Sequence, residues 1–266
     1  MIKSPLRYPG GKSRAINFIG KFIPNSFKTY REPFFGGGSV GFYVNQNYTC
    51  NEFLLNDLNQ DLYLFWFVLK ENPILLCEEV LKIKNIYSNG KSLYNDILKR
   101  RTSKLSKLQR AIDFFVLNRI TFSGVVDSGG YSEQAFHNRF TISSIDRLRK
   151  ASGVIKNFKI SNQDFEDVIN MEGSDVFIYL DPPYYGATKS KLYGKGGDLH
   201  TNFDHQRLLE ALLKSKHKFL LSYDNSEYIR NLYKSFNVVE WDLQYGMNNF
   251  KQNKALMGKE LLIYNY

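Results

Sequence analysis

Cysteine and histidine are scarce in this sequence of 266 residues, which contains two cysteines and four histidines. Cys50 and Cys77 form no Cys-x-x-Cys motif and have no histidine nearby, which argues against a disulfide framework and a zinc site. The histidines show no pair at helical spacing, so we expect no metal. They are His137, His200, His205 and His217.

Long apolar runs are missing as well. No stretch approaches the length of a membrane span, and the N-terminus has no signal-peptide pattern. The chain also lacks internal repeats and low-complexity segments. The simplest expectation is a protein of the reducing cytoplasm with no membrane partner.

Positive charge is abundant, with a net charge of +10 from 36 basic and 26 acidic side chains. A balance of this size favours a polyanionic partner, most simply nucleic acid, over a basic protein with no such partner. A hydrophobic fraction of 43% supplies the core of one large domain, or of a core domain with a sizeable insertion.

The sequence Asp181-Pro182-Pro183-Tyr184 directly follows a run typical of a buried strand, at 175–180. Proline cannot continue a strand ladder, so the acid and the ring are predicted at the carboxyl end of the strand, where α/β sheets bind ligands. A tyrosine can stack on a flat base, and the Asp181 carboxylate and the Pro182 carbonyl can accept hydrogen bonds from an exocyclic amine. The alternative is a turn with a packed tyrosine.

A glycine turn, Gly36-Gly37-Gly38, separates a predicted strand from a predicted helix. Gly36, Gly38 and Gly41 satisfy the spacing G-x-G-x-x-G, and Asp57 ends the next strand about twenty residues later, as an acid that binds ribose hydroxyls should. This set indicates a cofactor that contains adenosine. The alternative is a turn that only packs a helix on the sheet.

Two further segments are ambiguous by themselves. Residues 6–13 look like a phosphate-binding loop but lack its first glycine, although Tyr8 and Lys12 could still contact a cofactor. Asp164 and Phe165 follow another predicted strand, and Asp164 could accept a hydrogen bond from an adenine or could begin a helix.

Strand and helix patterns alternate at both ends of the chain, which predicts an α/β fold with a parallel sheet. Between them, 73–117 is helical and basic, 119–141 is typical of a β-hairpin or an ordered loop, and 143–151 is helical. We therefore expect a core domain of 1–72 and 156–266 and an insertion of 73–155. The predicted strands are 29–35, 52–56, 157–161, 175–180, 218–223, 236–241 and 260–265.

The order of a glycine motif, a helical insertion and Asp-Pro-Pro-Tyr resembles the Dam-type adenine-specific DNA methyltransferases over nearly the whole chain. Leu6 to Lys12, Glu32 to Gly38 and Asn56 to Asn59 are similar to the cofactor motifs of that family, and Asn118-Arg119 is similar to the start of its target-reading hairpin. The resemblance implies a Rossmann-like methyltransferase sheet with helices on both faces, plus a mainly helical target-recognition insertion that carries a hairpin. It also implies a protein of a prokaryotic cell or a phage.

The resemblance further implies S-adenosylmethionine as cofactor, double-stranded DNA as partner and adenine N6 as the methyl acceptor, with no metal. A restriction endonuclease is an optional partner, and the protein is expected to be a monomer or a weak dimer. The implied catalytic residues are Asp181, Pro182 and Tyr184. The implied cofactor residues are Tyr8, Lys12, Phe35, Gly36, Gly38, Asp57, Asp164, Phe165 and Asp181.

Recognition of the target is expected in the insertion, with base contacts mainly in 119–140. The candidate DNA-binding residues are Arg7, Lys12, Arg119, Ser123, Gln134, Asn138 and Arg139. The basic cluster from Lys99 to Arg110 is expected to contact phosphates. A glycine- and lysine-rich stretch at 185–203 is interpreted as a lid over a flipped base, with Lys189, Lys191 and Lys195 near phosphates.

Two other classes remain open from the residues. A nicotinamide-dependent oxidoreductase would explain the glycine spacing and Asp57, but it leaves Asp-Pro-Pro-Tyr and the positive charge unexplained. A non-catalytic DNA-binding protein on a methyltransferase scaffold would explain the charge but not the intact motifs.

Overall fold

A seven-stranded sheet forms the centre of the computed structural model, which describes residues 1–187, 203–244 and 257–266. The strand order is β3-β2-β1-β4-β5-β7-β6. The strands are β1 (Thr29–Glu32), β2 (Glu52–Asn56), β3 (Phe158–Ser161), β4 (Val176–Leu180), β5 (Lys218–Asp224), β6 (Asn237–Gln244) and β7 (Met257–Tyr264).

Five of these strands, β1 to β5, are parallel. The central strand β4 is buried at all five positions, as a strand covered on both faces requires. Arg31 of β1 is in register with Leu54 and Ile178, so β1, β2 and β4 end at the same edge of the sheet. The turns that follow these three strands therefore meet at this edge.

The prediction of a parallel sheet is wrong for the last strand. β7 runs antiparallel to both of its neighbours, β5 and β6. The parallel prediction rested on strand–helix alternation, and the sequence shows no helix pattern between the sixth and seventh strands. Parallel strands need a crossover connection and antiparallel strands do not, so alternation alone could not predict the direction of this strand.

Eleven α-helices surround the sheet in the described part of the chain. They are α1 (Ile16–Ile19), α2 (Ser39–Asn47), α3 (Gln60–Glu71), α4 (Pro73–Ile86), α5 (Gly90–Arg100), α6 (Lys107–Ile120), α7 (Glu133–Arg139), α8 (Ile142–Ile155), α9 (Phe165–Asn170), α10 (His205–Lys214) and α11 (Glu227–Leu232).

Helix α6 is the centre of the insertion, because every residue from Ala111 to Ile120 is buried. A helix that is covered on all sides must be packed between other elements, and α6 contacts α3, α4, α5 and α7. The hydrophobic cluster around it is continuous with side chains of β1 to β4. The insertion is therefore anchored on the sheet domain through a shared apolar core.

The hairpin predicted for 119–141 is wrong in its second arm. Only one antiparallel bridge forms, between Thr121 and Tyr131, and the residues after it form α7. The hydroxyl of Ser132 accepts a hydrogen bond from the backbone N–H of Ala135 and caps this helix. The buried side chains of Ala135, Phe136 and Phe140 then follow helical rather than strand periodicity.

Candidate active site

The glycine turn lies between β1 and α2, where Gly36 and Gly38 have φ angles of 50° and 74°. Only glycine adopts this left-handed region at little cost. A Cβ at Gly36 would lie 2.8 Å from the ring of Tyr8, so the N-terminal loop packs directly on the turn. The two cofactor motifs, 28 residues apart in the sequence, thus form one surface.

Asp57 follows β2 and holds the glycine turn. Its Oδ2 accepts from the backbone N–H of Gly36 at 2.8 Å, and its Oδ1 accepts from the N–H of Asn59 at 2.9 Å. Burial raises the pKa of Asp57 from its ordinary value of 3.8 to about 6, although both hydrogen bonds oppose the shift. Each oxygen accepts one of these bonds and keeps a second lone pair for a ligand.

The Asp-Pro-Pro-Tyr turn begins at the end of β4 and faces the N-terminal loop. The Nζ of Lys12 lies 2.8 Å from Oδ1 and 3.0 Å from Oδ2 of Asp181. The same ammonium lies 4.8 Å from the centre of the Tyr184 ring. One lysine therefore contacts both the acid and the aromatic ring of the turn.

This lysine is only 3% exposed. Burial acts to lower the pKa of Lys12, but the charges of Asp181 and Glu260 outweigh it and leave the pKa above its usual value. Burial raises the pKa of Asp181, and the ammonium of Lys12 counters that shift. The pair thus helps to keep Asp181 an ionised hydrogen-bond acceptor in a buried place.

Glu32 is a buried acid that belongs to the motif Glu32 to Gly38, but no role for it was predicted from the sequence. It ends β1, is 2% exposed and accepts a hydrogen bond from the Tyr30 hydroxyl at 2.7 Å. Burial raises its pKa well above the ordinary value. The feature of the sequence that could have identified Glu32 is its carboxyl directly before Pro33, where a strand ends.

Arg207 is a second residue that the motifs did not reveal. Arg207 lies in the first turn of α10 and donates to Asp164 at 3.2 Å and to Glu166 at 2.8 Å. Its guanidinium carbon lies 4.7 Å from the centre of the Phe165 ring. Asp164 also caps α9 by accepting from the N–H of Glu166 at 2.9 Å. The interpretation of Asp164 as a helix start is therefore confirmed, and a hydrogen bond from an adenine to Asp164 stays a prediction.

These turns enclose one cavity of about 580 Å³ at the carboxyl edge of the sheet. Every residue predicted for catalysis or cofactor binding lines it. They are Tyr8, Lys12, Phe35, Gly36, Gly38, Asp57, Asp164, Phe165, Asp181, Pro182 and Tyr184. The structure brings them together, and their individual roles remain predictions.

Comparison with known proteins identifies the family. Residues 8–247 match the family described as D12 class N6 adenine-specific DNA methyltransferase. The chain belongs to this family. The predicted family, fold class and adenine-specific DNA methyltransferase activity are thereby confirmed.

Similar methyltransferases come from archaea and bacteria. The chain is 28% identical to the type II methyltransferase M.MjaIII of Methanocaldococcus jannaschii, covering 100% of this chain and 99% of that protein. It is 26% identical to the type II methyltransferase M1.LlaDCHI of Lactococcus lactis subsp. cremoris, covering 98% and 94%. It is 25% identical to a DNA adenine methylase of Vibrio cholerae, covering 94% and 92%.

The candidate DNA-binding residues of this methyltransferase occupy three kinds of place. Gln134, Asn138 and Arg139 are exposed on α7. Arg7 in the N-terminal loop and Ser123 in the turn after α6 are half-buried. Lys12 and Arg119 are buried, each 3% exposed.

Arg119 lies in an unusual environment. Its guanidinium stacks 5.2 Å from the centre of the Phe115 ring. Burial and, to a smaller extent, the charges of Arg147, Arg7 and Arg139 together lower its pKa to about 9. This part of the methyltransferase is therefore strongly electropositive.

The basic cluster of the insertion differs from its sequence interpretation. Arg101 and Arg110 bond to Asp61 at 2.5 and 2.6 Å, and Arg100 bonds to Asp113 at 3.0 Å. These three arginines join helices to one another and to α3. Lys99, Lys104 and Lys107 remain exposed and available to phosphates.

The predicted lid falls largely on 188–202, which lie outside the described residues, as do Lys189, Lys191 and Lys195. Within the described residues, no three His, Cys, Asp or Glu side chains cluster in a way that could hold a metal ion. Across the same residues, no helix is both long and apolar enough to cross a membrane.

Proposed function

We propose that this methyltransferase moves the methyl group of S-adenosylmethionine to N6 of an adenine that is flipped out of duplex DNA. The single observation that carries the proposal is the shared cavity. The glycine turn and Asp57 form one part of its wall, and the Asp181 turn forms another. A cofactor and a target base can therefore meet inside it.

The residues present fit an adenosine cofactor. The second lone pairs of the Asp57 oxygens are suited to ribose hydroxyls, because vicinal hydroxyls are paired donors. Gly36 and Gly38 also line the cavity, and their positive φ angles allow the turn to bring its backbone close to a ligand. Phe165, held by Arg207, offers a flat apolar surface for a purine ring.

S-adenosylmethionine supplies an electrophilic methyl group that already carries its leaving group. The contribution of the protein is then mainly the positioning of the acceptor amine. The carboxylate of Asp181 and the carbonyl of Pro182 would accept from the two N6–H groups and draw the nitrogen toward tetrahedral geometry. This frees its lone pair from conjugation with the ring, and the proton that N6 loses on methylation would pass to the Asp181 carboxylate. The Lys12 contact fixes the Asp181 carboxylate in place for this task.

Tyr184 holds the extruded base by stacking. Flipping a base costs a few kcal/mol, and stacking between aromatic groups recovers part of that cost. The contact between the Tyr184 ring and the Lys12 ammonium at 4.8 Å restrains the ring beside Asp181. Acceptor groups and stacking surface are thus held by the same lysine.

The proposed division into a catalytic part, 1–72 and 156–266, and a recognition part, 73–155, is supported by the fold. All strands lie in the first part, and α4 to α8 lie in the second. Because two of the relatives are named type II methyltransferases, we include pairing with a restriction endonuclease in the proposal, and a monomer or weak dimer as the assembly.

The test is incubation of duplex DNA with methyl-labelled S-adenosylmethionine, followed by sequencing of modified bases. We expect N6-methyladenine at a defined site. Asp181→Ala should abolish labelling while it keeps the fold intact, and Tyr184→Ala should impair capture of the base more than binding of the cofactor. Near-normal turnover by Asp181→Ala at saturating cofactor and DNA would overturn the mechanism.

A further inference from the structure

Asp224, the last residue of β5, bonds to the backbone just beyond the Asp-Pro-Pro-Tyr turn. Its Oδ1 accepts from the N–H of Tyr185 at 2.8 Å, and its Oδ2 accepts from the N–H of Gly186 at 2.9 Å. β5 is the parallel neighbour of β4, with Leu221 in register with Leu180. The two strands therefore deliver the acid and the turn to the same edge of the sheet.

Side-chain contacts hold the same segment from two other directions. The Tyr185 ring stacks on Tyr228 with centroids 4.3 Å apart and meets the His205 ring edge-on at 5.4 Å. A Cβ at Gly186 would lie 2.9 Å from Oδ2 of Asp224. The backbone at 185–186 is thus held close to Asp224, and a side chain there would disturb the contact.

We infer that Asp224 is a positioning residue for methyl transfer. The inference rests on the proposed roles of Asp181 and Tyr184. Lys12 fixes the turn at its first residue, and Asp224 fixes it just after its last. Between these two points lie the Pro182 carbonyl and the Tyr184 ring, which the proposal assigns to the target base.

Two hydrogen bonds to a carboxylate are stronger than neutral ones and define direction as well as distance. Loss of this restraint lets the Pro182 carbonyl and the Tyr184 ring shift relative to Asp181. A displacement of about 1 Å at a reacting group can cost about a hundred-fold in rate. Asp224 itself does not line the cavity, so cofactor binding should not depend on it.

The test variant is Asp224→Asn, which keeps the shape but turns an amide NH2 toward a backbone N–H. The matched control is Asp242→Asn, an exposed acid on β6 in the same sheet. We expect the single-turnover rate at saturating DNA and cofactor to fall about ten-fold or more. We expect the cofactor Kd to stay within about two-fold of the wild-type value, since Asp224 does not line the cavity.

A spectroscopic readout separates positioning from general damage. With 2-aminopurine at the target position, fluorescence rises when the base leaves the stack. Asp224→Asn should give a smaller rise than the wild type and Asp242→Asn. If its rate and its fluorescence both equal those of the control, the inference is overturned. A loss of cofactor affinity as large as the loss of rate also overturns the inference, because that pattern indicates a general structural role.

Gly186→Ala tests the same contact from the opposite side if Asp224→Asn fails to fold. Its methyl group would press on Asp224, so the rate should fall with the cofactor Kd unchanged, and a normal rate would reject the inference. Failure of the proposed function is distinguishable, because it would appear as activity retained by Asp181→Ala. Failure of this inference alone leaves Asp181→Ala inactive.

Discussion

Asn118 hydrogen-bonds to both backbone polar groups of Arg7. Its Oδ1 accepts from the N–H of Arg7 at 3.0 Å, and its Nδ2 donates to the carbonyl of Arg7 at 2.7 Å. The same Nδ2 donates to the carbonyl of Gly124 at 2.9 Å. One buried amide thus ties the N-terminal loop, which carries Tyr8 and Lys12, to the turn that follows α6.

This tie predicts thermodynamic coupling between DNA and cofactor. Asn118→Ala should reduce the factor by which cognate DNA changes the Kd of S-adenosylmethionine, because the loop and the turn lose their shared bonds. Coupling factors of about 5- to 150-fold are typical of linked sites, and they are reciprocal. Calorimetry with and without DNA measures the factor, with Asn47→Ala, an exposed residue of α2, as control. An unchanged factor would show that the tie is only structural.

Lys12→Met should expose the dependence of Asp181 on its ion pair. Removal of the ammonium removes the interaction that opposes burial, so the pKa of Asp181 should rise further. Methyl transfer needs the ionised carboxylate, so the acid limb of the kcat–pH profile should move to higher pH. Stopped assays across pH 5–9 measure this. A lower rate with an unshifted profile would assign Lys12 to the cofactor instead.

Asp57→Asn should weaken cofactor binding and remove its dependence on pH. Hydrogen bonds to a charged group contribute about 1.5–3 kcal/mol, so a loss of ten-fold or more in affinity is expected for the variant at neutral pH. In the wild type, the carboxylate with a pKa of about 6 gains a proton as the pH falls through that value. Affinity should therefore fall below pH 6 in the wild type and stay flat in the variant.

The stability of the protein without ligand should change in the opposite direction. A carboxyl whose pKa is raised by folding stabilises the protein fully below its unfolded pKa, and this contribution is lost as the pH rises through about 6. Thermal unfolding of the wild type and Asp57→Asn between pH 4 and 8 checks the sign. A difference between them that does not change with pH would refute the raised pKa.

Lys104→Ala and Lys107→Ala should weaken binding to all duplexes alike. Both side chains are exposed, and each lost phosphate contact should flatten the salt dependence by about one unit. Lys159→Ala, an exposed lysine on β3, is the control. A slope equal to that of the wild type would exclude these two lysines from the DNA interface.

Gln134→Ala and Arg139→Ala should instead reduce discrimination between sites. Both are exposed on α7. A helix fits the major groove, as the two strands of the predicted hairpin also would. Loss of a base contact should narrow the gap between cognate and noncognate DNA by about 1–3 kcal/mol. If substitutions throughout 119–140 leave the gap unchanged, recognition must lie elsewhere in the chain.

The sequence by itself determined the local elements and the chemical motifs. The strand at Glu52–Asn56 was predictable, because a buried apolar run acts within a few residues. The motif order was enough to identify the family. It also named a set of residues that the fold gathers around one cavity.

Tertiary structure decided what each charged side chain contacts. Lys12 meets Asp181 across 169 positions of sequence, and Arg207 meets Asp164 across 43. Neither pairing leaves a local pattern, since the sheet order brings these segments together. The helix at Glu133–Arg139, by contrast, carried a local signal that the hairpin prediction missed, because Ser132 caps it and Glu133, Gln134 and Ala135 favour a helix.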